Sequence, residues 1–378
     1  MSNLPELSSR IPFYSGQVVY IYSFDIAYEF LRQPEGNLLG QPIVQVSVGP
    51  SKRSPRQLVF YRPNMINLPP EERVGPHGPV TVERAVKLLS VGAISITVRV
   101  PFKVSRIEQL VDYHDLQFAD GSLTEGVQEL AEQVRKELIP YCDRPVSQVG
   151  EGEAYTVFCI TSPLVTEEGS LLSAEAWLED RRRQLASILT QEEDMSLLSE
   201  QEVEETTSRY CSYYGHDLTM VDWDAAIIIN DPQDMEETLY IMELANVQLT
   251  ELEAYDRLLD EAVMRSYRDL ESARLRGRSP VMAALREIRI DLARLSDELS
   301  NITKFFGDWH LARIYQMLSE RFHLGDWHRV VGGKLNTLDS LYSLHKQDQT
   351  NRWMLVLEAT IVLLFVLDLI VLVMGLGK

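Results

Sequence analysis

The sequence has few of the residues from which catalytic, metal and disulfide sites are built. Among its 378 residues are three cysteines, Cys142, Cys159 and Cys211, and no two of them form a Cys-x-x-Cys pair. Neither a zinc site nor a disulfide framework is therefore indicated, and a reducing compartment fits. The sequence also lacks a glycine-rich phosphate loop, a Gly-x-Ser-x-Gly elbow, a His-Glu-x-x-His pair and a dinucleotide fingerprint. We predict a non-enzymatic protein with no catalytic residue, cofactor or bound metal.

Basic residues are in the minority, with 36 Lys and Arg against 56 Asp and Glu and a formal net charge of −20. This balance argues against nucleic acid as the main partner, because the phosphate backbone would be repelled. A local arginine stripe at 265–294 is the exception, and two readings stay open. It could be an exposed face paired with neighbouring acids, or a docking site for RNA, a ribosome or lipid headgroups. Its members are Arg265, Arg268, Arg274, Arg276, Arg278, Arg286, Arg289 and Arg294.

Long apolar runs are absent until the C-terminal end of the sequence. The N-terminal segment MSNLPELSSRIPFYSG has no basic start followed by an apolar run, so no secretory signal is expected. Near the other end, Met354–Met374 would form a helix of roughly 32 Å, enough to cross a bilayer core, with Trp353 at its entrance. The alternative is a buried core helix. Four basic residues precede the span and one follows it: Arg329, Lys334, Lys346, Arg352 and then Lys378.

This charge bias predicts a single-pass protein of the inner (cytoplasmic) membrane, with the N-terminal domain in the cytoplasm. The lipid bilayer is thus an expected partner. Residues 1–230 are predicted to form a mixed α/β domain, because β-branched and aromatic runs bounded by turn residues alternate with helical patterns. The predicted strands cover residues 16–24, 41–48, 56–62, 92–102, 154–160 and 222–230. Ser105, Ser122 and Ser199 each precede an acid by three residues, which predicts helix N-termini there.

Residues 231–352 are predicted to form a helical hairpin or coiled-coil stalk. The strand pattern stops at Asp231, and one long helix follows until the segment RGRSP. The next helix has apolar residues at intervals of four and three, the repeat of a coiled-coil seam. That seam comprises Val281, Leu285, Ile288, Leu292, Leu295, Leu299 and Ile302. The same spacing recurs at Val331, Leu335, Leu338, Tyr342 and His345, and we expect both series to favour homo-oligomerisation.

The tetrapeptide Gly-Asp-Trp-His occurs twice, at Gly307–His310 and at Gly325–His328. Its acids and histidines, with His323, could form a metal or acid/base cluster. The alternative is a pair of helix junctions, where Gly ends one helix and Asp308 or Asp326 caps the next. We favour the capping interpretation, because no pair of ligands is spaced four residues apart on one helix.

Glu358 and Asp368 lie inside the predicted transmembrane helix at 353–376. An acid near the bilayer centre costs about 2.5–3.5 kcal/mol, and no Lys or Arg within the span can pair with either residue. Both could be protonated and hydrogen-bonded between neighbouring subunits. They could instead line a cation or proton path, or contact another membrane protein.

The C-terminal part resembles the membrane-anchored proteins of domain of unknown function 155, the "required for meiotic nuclear division" type. The resemblance covers about 225–376 and rests on three features. Leu357-Glu358 precedes a second acid, Asp368, by the family's spacing. Phe305-Phe306 precedes a short helix containing Leu311-x-x-Ile314-Tyr315, and the segment LYIMELANVQLTELEAYD resembles the family's helix leading out of its α/β domain. The resemblance implies an inner-membrane anchor, oligomerisation and a tethering or organising role, with no catalytic residues.

These observations predict an α+β architecture: a mixed α/β cytoplasmic domain, a helical stalk and one C-terminal transmembrane helix. The expected function is a membrane-anchored homo-oligomeric scaffold or tether that presents its cytoplasmic domain to an unknown protein partner. Two alternatives stay open. The first is an oligomeric pore that uses Glu358 and Asp368, and the second is an enzyme in the α/β domain.

Overall fold

The computed structural model describes residues 14–32, 34–45, 63–89, 92–161, 164, 172–272, 309–373 and 375. The strands are β1 (Tyr14–Asp25), β2 (Ala27–Phe30), β3 (Asn37–Leu38), β4 (Gln41–Pro42), β5 (Val44–Gln45), β6 (Asn64–Asn67), β7 (Glu71–Gly75), β8 (Gly78–Leu88), β9 (Ala93–Val104), β10 (Gln117–Phe118), β11 (Gly121–Ser122), β12 (Cys142–Pro145), β13 (Glu153–Ile160), β14 (Tyr210–Cys211), β15 (Leu218–Val221) and β16 (Ala225–Ile229). The α-helices are α1 (Leu123–Leu138), α2 (Ala174–Thr190), α3 (Glu200–Thr206), α4 (Pro232–Ser272), α5 (Trp309–Arg321) and α6 (Leu324–Val373).

A mixed sheet of ten strands organises the N-terminal part, so the predicted mixed α/β architecture is confirmed. Nine strands follow the order β14-β15-β16-β13-β1-β9-β8-β6-β5, and β7 pairs with β8. Strands β13 and β16 are parallel, whereas the other neighbours in this order pair antiparallel. The long strands β1 and β9 lie side by side over their whole length, from Tyr14 opposite Val104 to Asp25 opposite Ala93.

The predicted strands at 16–24, 92–102, 154–160 and 222–230 correspond to β1, β9, β13 and β16. The predicted strand at 41–48 appears as the two short strands β4 and β5, and the one at 56–62 lies outside the described residues. Strands β7 and β8 were not predicted. The segment GPVTVERAVKL of β8 is mostly polar on one of its faces, the face of Thr81, Glu83 and Lys87.

One face of the sheet forms the main hydrophobic core. Successive side chains of a strand point to opposite faces, so Val18, Tyr20 and Tyr22 of β1 share this face. Helices α1 and α2 cover it with an apolar stripe each, and the stripe on α1 consists of Val127, Leu130, Ala131, Val134 and Leu138. Trp177 of α2, with 1% of its surface exposed, is the largest side chain in this core.

Helix N-termini on this side have side-chain caps. The hydroxyl of Ser122 accepts from the backbone N–H of Glu125, and that of Ser199 accepts from Glu202, which confirms two predicted caps. The predicted cap at Ser105 is wrong. There the side-chain oxygen of Gln109 accepts from the backbone N–H groups of Ser105 and Arg106, and a 3-10 helix follows at Ile107–Tyr113. The acid Glu108 lies in the first turn and takes no part in this cap.

Helix α4 crosses the opposite face of the sheet. The side-chain amide of Asn246, which is 2% exposed, donates to the Ile21 carbonyl at 3.3 Å, the Ser23 hydroxyl at 3.0 Å and the Glu153 carbonyl at 3.0 Å. These three hydrogen bonds satisfy the buried amide and fix α4 against β1 and β13.

Two compact units divide the chain. The first comprises Met1–Leu252 and Leu299–Gly325, and the second comprises Glu253–Glu298 and Asp326–Lys378. The first half of α4 and the short helix α5 therefore belong with the sheet, whereas the sequence suggested a boundary at residue 230. In the second unit, the ammonium of Lys334 lies 2.6 Å from carboxylate oxygens of both Asp256 and Asp260, which joins α6 to α4.

Helix α6 contains the predicted apolar segment. Within the described part of the chain, Trp353–Val373 is the one stretch of helix long and apolar enough to cross a membrane, with a mean hydropathy of 2.8 over its most apolar window. None of that window is buried against any other part of the chain that the structure describes. A buried core helix, the alternative interpretation of this segment, is therefore wrong.

Candidate functional site

A polar cavity of about 590 Å³ lies between the sheet and the first turns of α4. On this side β1 presents apolar residues such as Val19 and Ile21, which form part of the cavity wall. Strands β8 and β9 present mostly polar and charged residues to the same space. The polar lining includes Glu83, Lys87, Thr97, Arg99, Glu236 and Glu243.

Glu243 is the most deeply buried charged group of the site, with 4% of the residue exposed. One carboxylate oxygen accepts a hydrogen bond of 2.6 Å from the hydroxyl of Ser95, and the other accepts from the ammonium of Lys87. Burying a carboxylate is costly unless it is paired and hydrogen-bonded, and these two contacts offset that cost. The pair is held by register, because Lys87 and Ser95 lie directly opposite each other on β8 and β9.

A second ion pair lies nearer the solvent. The guanidinium of Arg99 donates to both carboxylate oxygens of Glu236, with distances of 2.6 and 2.8 Å. This bidentate geometry is the strongest arrangement of an Arg–carboxylate ion pair. About half of the Glu236 side chain is exposed, so the pair lies at the mouth of the cavity. A cavity with apolar walls and a few fixed charges can bind and orient a polar small molecule.

The three cysteines do not offer a reactive thiolate. Burial raises the pKa of Cys142 to about 11, and burial raises the pKa values of Cys159 and Cys211 to about 12. Cys159 is fully buried in β13, as expected for a core residue. Because the thiolate is the nucleophilic form, none of the three is activated for covalent chemistry.

Helix α5, which precedes the apolar helix in sequence, is attached to the sheet by buried polar contacts. The guanidinium of Arg321 donates to the Glu205 carbonyl at 2.6 Å and lies 3.5 Å from a carboxylate oxygen of Asp222. Burial raises the pKa of Asp222 to about 6, even though the positive charge of Arg321 acts in the opposite direction. Farther along α5, the hydroxyl of Tyr315 donates to the side chain of Gln248 at 2.7 Å.

The second Gly-Asp-Trp-His copy differs from its predicted geometry. Helix α6 begins at Leu324, so Gly325 and Asp326 lie in its first turn, and Asp326 is not the N-cap. The left-handed residue between α5 and α6 is His323, with φ of 48°. Asp326 contacts Arg329 one turn later, at 2.6 Å, and its charge is favourable near a helix N-terminus. Asp308 of the first copy lies outside the described residues.

The remaining predicted residues fall into two groups. The seam from Val281 to Ile302 and most of the arginine stripe lie outside the described residues. In α6, Val331, Leu335 and Leu338 are buried within the single chain. Burial of this part of the repeat therefore does not require a second copy of the chain. Over the described ranges, no group of three or more His, Cys, Asp and Glu side chains could hold a metal ion.

Glu358 and Asp368 both lie on the exposed apolar part of α6. Each is five residues from one end of the segment Trp353–Val373, about 7.5 Å inside it. The two acids thus lie toward opposite ends of the segment and not at its centre.

The cavity residues Lys87, Ser95, Arg99 and Glu243 were missed by sequence reasoning. Their signal is the alternation of charged and apolar residues in β8, and an acid inside the apolar run LYIMELANV of α4. Either feature alone is common on exposed surfaces. Together they indicate a cavity only once α4 is known to cover that face of the sheet.

Comparison with known protein families gives a match over residues 15–236, which contain the sheet and the start of α4. The matching family is described as "Uncharacterized protein MJ0711, N-terminal domain". A curated relative, "Uncharacterized protein MJ0711" of Methanocaldococcus jannaschii, is 25% identical over 221 residues. The aligned region covers 58% of this chain and 65% of the relative. No solved structure matches the chain.

Proposed function

The chain belongs to the family of the MJ0711 N-terminal domain, and we propose that it is a non-enzymatic, membrane-anchored tether. In this proposal, α6 spans the membrane and holds the family domain at the cytoplasmic surface. The resemblance of residues 225–376 to the proteins of domain of unknown function 155 supports the same role, because those proteins are membrane-anchored. The family match covers the N-terminal part, so the two likenesses overlap only at residues 225–236.

A single observation carries the proposal: the apolar segment Trp353–Val373 has no cover from the described residues of the chain. Phe365 is 77% exposed and Leu372 is 76% exposed, and most of their neighbours are similar. Removing a large apolar side chain from water gains about 1.5–3 kcal/mol. A helix with this many such side chains is unfavourable in water, and a bilayer of about 30 Å accommodates its length.

The two acids are compatible with insertion. Because Glu358 and Asp368 lie about 7.5 Å from the ends of the segment, their cost is below that of an acid at the bilayer centre. Contacts between neighbouring subunits would reduce the cost further through shared hydrogen bonds. We therefore propose that the tether is a homo-oligomer with these acids at the subunit contact.

The sufficiency of the segment can be tested by fusing residues 353–378 to a soluble fluorescent protein. The fusion should sediment with membranes and resist extraction at alkaline pH. Leu363 is the central residue of the segment, and a matched fusion carries Leu363→Arg there. Arg at this position costs about 2.5–3.5 kcal/mol, so this fusion should shift to the soluble fraction. A wild-type fusion that stays soluble would contradict the proposal.

A further inference from the structure

The cavity between the sheet and α4 has an uncharged stretch of floor between two ion pairs. Ser95 and Arg99 lie four residues apart on β9, about 13 Å along the strand, and they share a face of the sheet. Glu243 contacts Ser95 and Lys87 at the first position, and Glu236 contacts Arg99 at the second. The volume of about 590 Å³ falls within the range of small-molecule sites, and every lining residue belongs to one compact unit.

Strand register determines the middle of this floor. Thr97 of β9 lies directly opposite Ile21 of β1 and Ala85 of β8. Ala85 in turn lies opposite Asn67 of β6. Residues directly opposite each other share a face of the sheet, and neighbouring strands are about 4.8 Å apart. The backbones of Thr97 and Asn67 are therefore about 10 Å apart, with only the small side chain of Ala85 between them.

Uncharged polar side chains of the lining have hydrogen-bonding capacity that the protein does not use. Gln17, Asn67 and Thr97 line the cavity, and none of these three side chains forms a hydrogen bond with a residue that the structure describes. Thr97 is 8% exposed, so its hydroxyl group has little access to bulk solvent. Most buried polar side chains have a hydrogen-bond partner. The unused capacity of these groups therefore favours a polar occupant of the cavity.

The ion pairs favour an uncharged occupant. A charged ligand held by either pair would displace one of its members, and separating a partly buried ion pair is costly. A hydroxyl group both donates and accepts, so it can join either pair without changing the charge balance. A carboxylate has about four acceptor sites, and one that is already paired can still accept from a hydroxyl group. This also applies to the other two carboxylates of the lining, those of Glu83 and Glu237.

From this geometry we propose that the cavity binds an uncharged ring molecule with several hydroxyl groups, a monosaccharide or a cyclic polyol. Its hydroxyl groups bond to the side chains of Gln17, Asn67 and Thr97, and its C–H groups contact the apolar wall at Ile21 and Leu239. This ligand site is independent of the proposed anchoring. A failure of membrane attachment leaves it intact, and the reverse also holds.

The test is a ligand-observed NMR titration of the full chain in a detergent without a sugar headgroup, because a glucoside or maltoside would compete for the site. The probes are D-glucose, D-galactose, D-mannose and myo-inositol. The controls are cyclohexanol, a ring with a single hydroxyl group, and the anion D-gluconate. We expect at least one probe to bind and neither control to bind. Absence of binding by all four probes would overturn the proposal, as would binding of either control in their place.

Two variants locate the binding. Thr97→Val keeps the size of the side chain, removes the hydroxyl group and should weaken binding by about threefold to tenfold. Ala85→Leu fills the middle of the floor and should abolish binding. Thr156→Val is the matched control and should keep the wild-type affinity, because Thr156 is also 8% exposed but lies opposite Tyr20, on the core face of the sheet. Affinities equal to the wild type in both Thr97→Val and Ala85→Leu would place the ligand elsewhere and overturn the proposal.

Discussion

The buried Asp222 beside Arg321 should make the stability of the sheet unit depend on pH in an unusual direction. Its pKa is raised from 3.8 to about 6, mainly because burial disfavours the charged carboxylate. Between pH 4 and pH 6 the unfolded chain therefore releases a proton that the folded chain retains. Raising the pH through this window favours the unfolded state. Each pKa unit corresponds to about 1.4 kcal/mol, so the contribution of Asp222 to the free energy of unfolding should fall by about 3 kcal/mol.

The perturbation is Asp222→Asn, which removes the ionisable group and keeps its size. The expected result is a change in the pH dependence: relative to the wild type, the variant gains about 3 kcal/mol between pH 4 and pH 7. Only this difference is used, because the substitution can also change the free energy of unfolding by an amount that does not depend on pH. The measurement is chemical denaturation of the full chain in detergent, followed by far-ultraviolet circular dichroism at several pH values.

Glu193→Gln is the matched control, since Glu193 is exposed and is not among the charges that act on Asp222. Its unfolding free energy should follow the wild type in parallel at every pH. If Asp222→Asn also runs parallel to the wild type, Asp222 does not retain its proton in the folded state. The account of the contact between α5 and the sheet would then be refuted.

His114 has the opposite effect on stability, because burial lowers its pKa to about 4. Its contribution to the free energy of unfolding therefore falls by about 3 kcal/mol as the pH drops from 6.5 to 4. The variant His114→Gln should remove this loss in the same denaturation series. Gly16→Ala should destabilise by several kcal/mol and lower the thermal midpoint, because the new Cβ would lie 1.9 Å from the Cys159 carbonyl oxygen. Replacing Glu358 and Asp368 together by Leu should preserve membrane insertion but change the oligomer mass in detergent. A wild-type monomer at all concentrations would contradict self-association, and an unchanged oligomer in the double variant would remove only the acids from the contact.

The long strands that sequence reasoning identified are those rich in β-branched and aromatic residues. Strands β1, β9, β13 and β16 contain continuous β-branched and aromatic runs, because both faces are covered over most of their length. Strand β8 was missed because its cavity-facing side is charged. The charged residues that obscured the strand pattern of β8 are therefore the same residues that line the cavity.

The cavity could not be predicted because its parts are distant in sequence. Ser95 and Glu243 are 148 residues apart, and only the crossing of α4 over β9 brings them together. The predicted cap at the junction before α6 was wrong for a different reason. Gly and Asp suit the ends of helices, but helix α6 begins two residues before Asp326, with His323 taking the left-handed conformation. The local capping propensity of Gly and Asp thus located the helix junction correctly but assigned it to the wrong residue.

The most direct test of the tether is alkaline extraction of membranes that contain the full chain or a chain ending at Arg352. The shorter chain lacks the apolar segment and retains both the sheet and the contact of α5 with it. We expect the full chain to stay in the membrane pellet and the shorter chain to appear in the supernatant, folded by circular dichroism. Retention of the shorter chain in the pellet, or release of the full chain, would contradict membrane anchoring by α6.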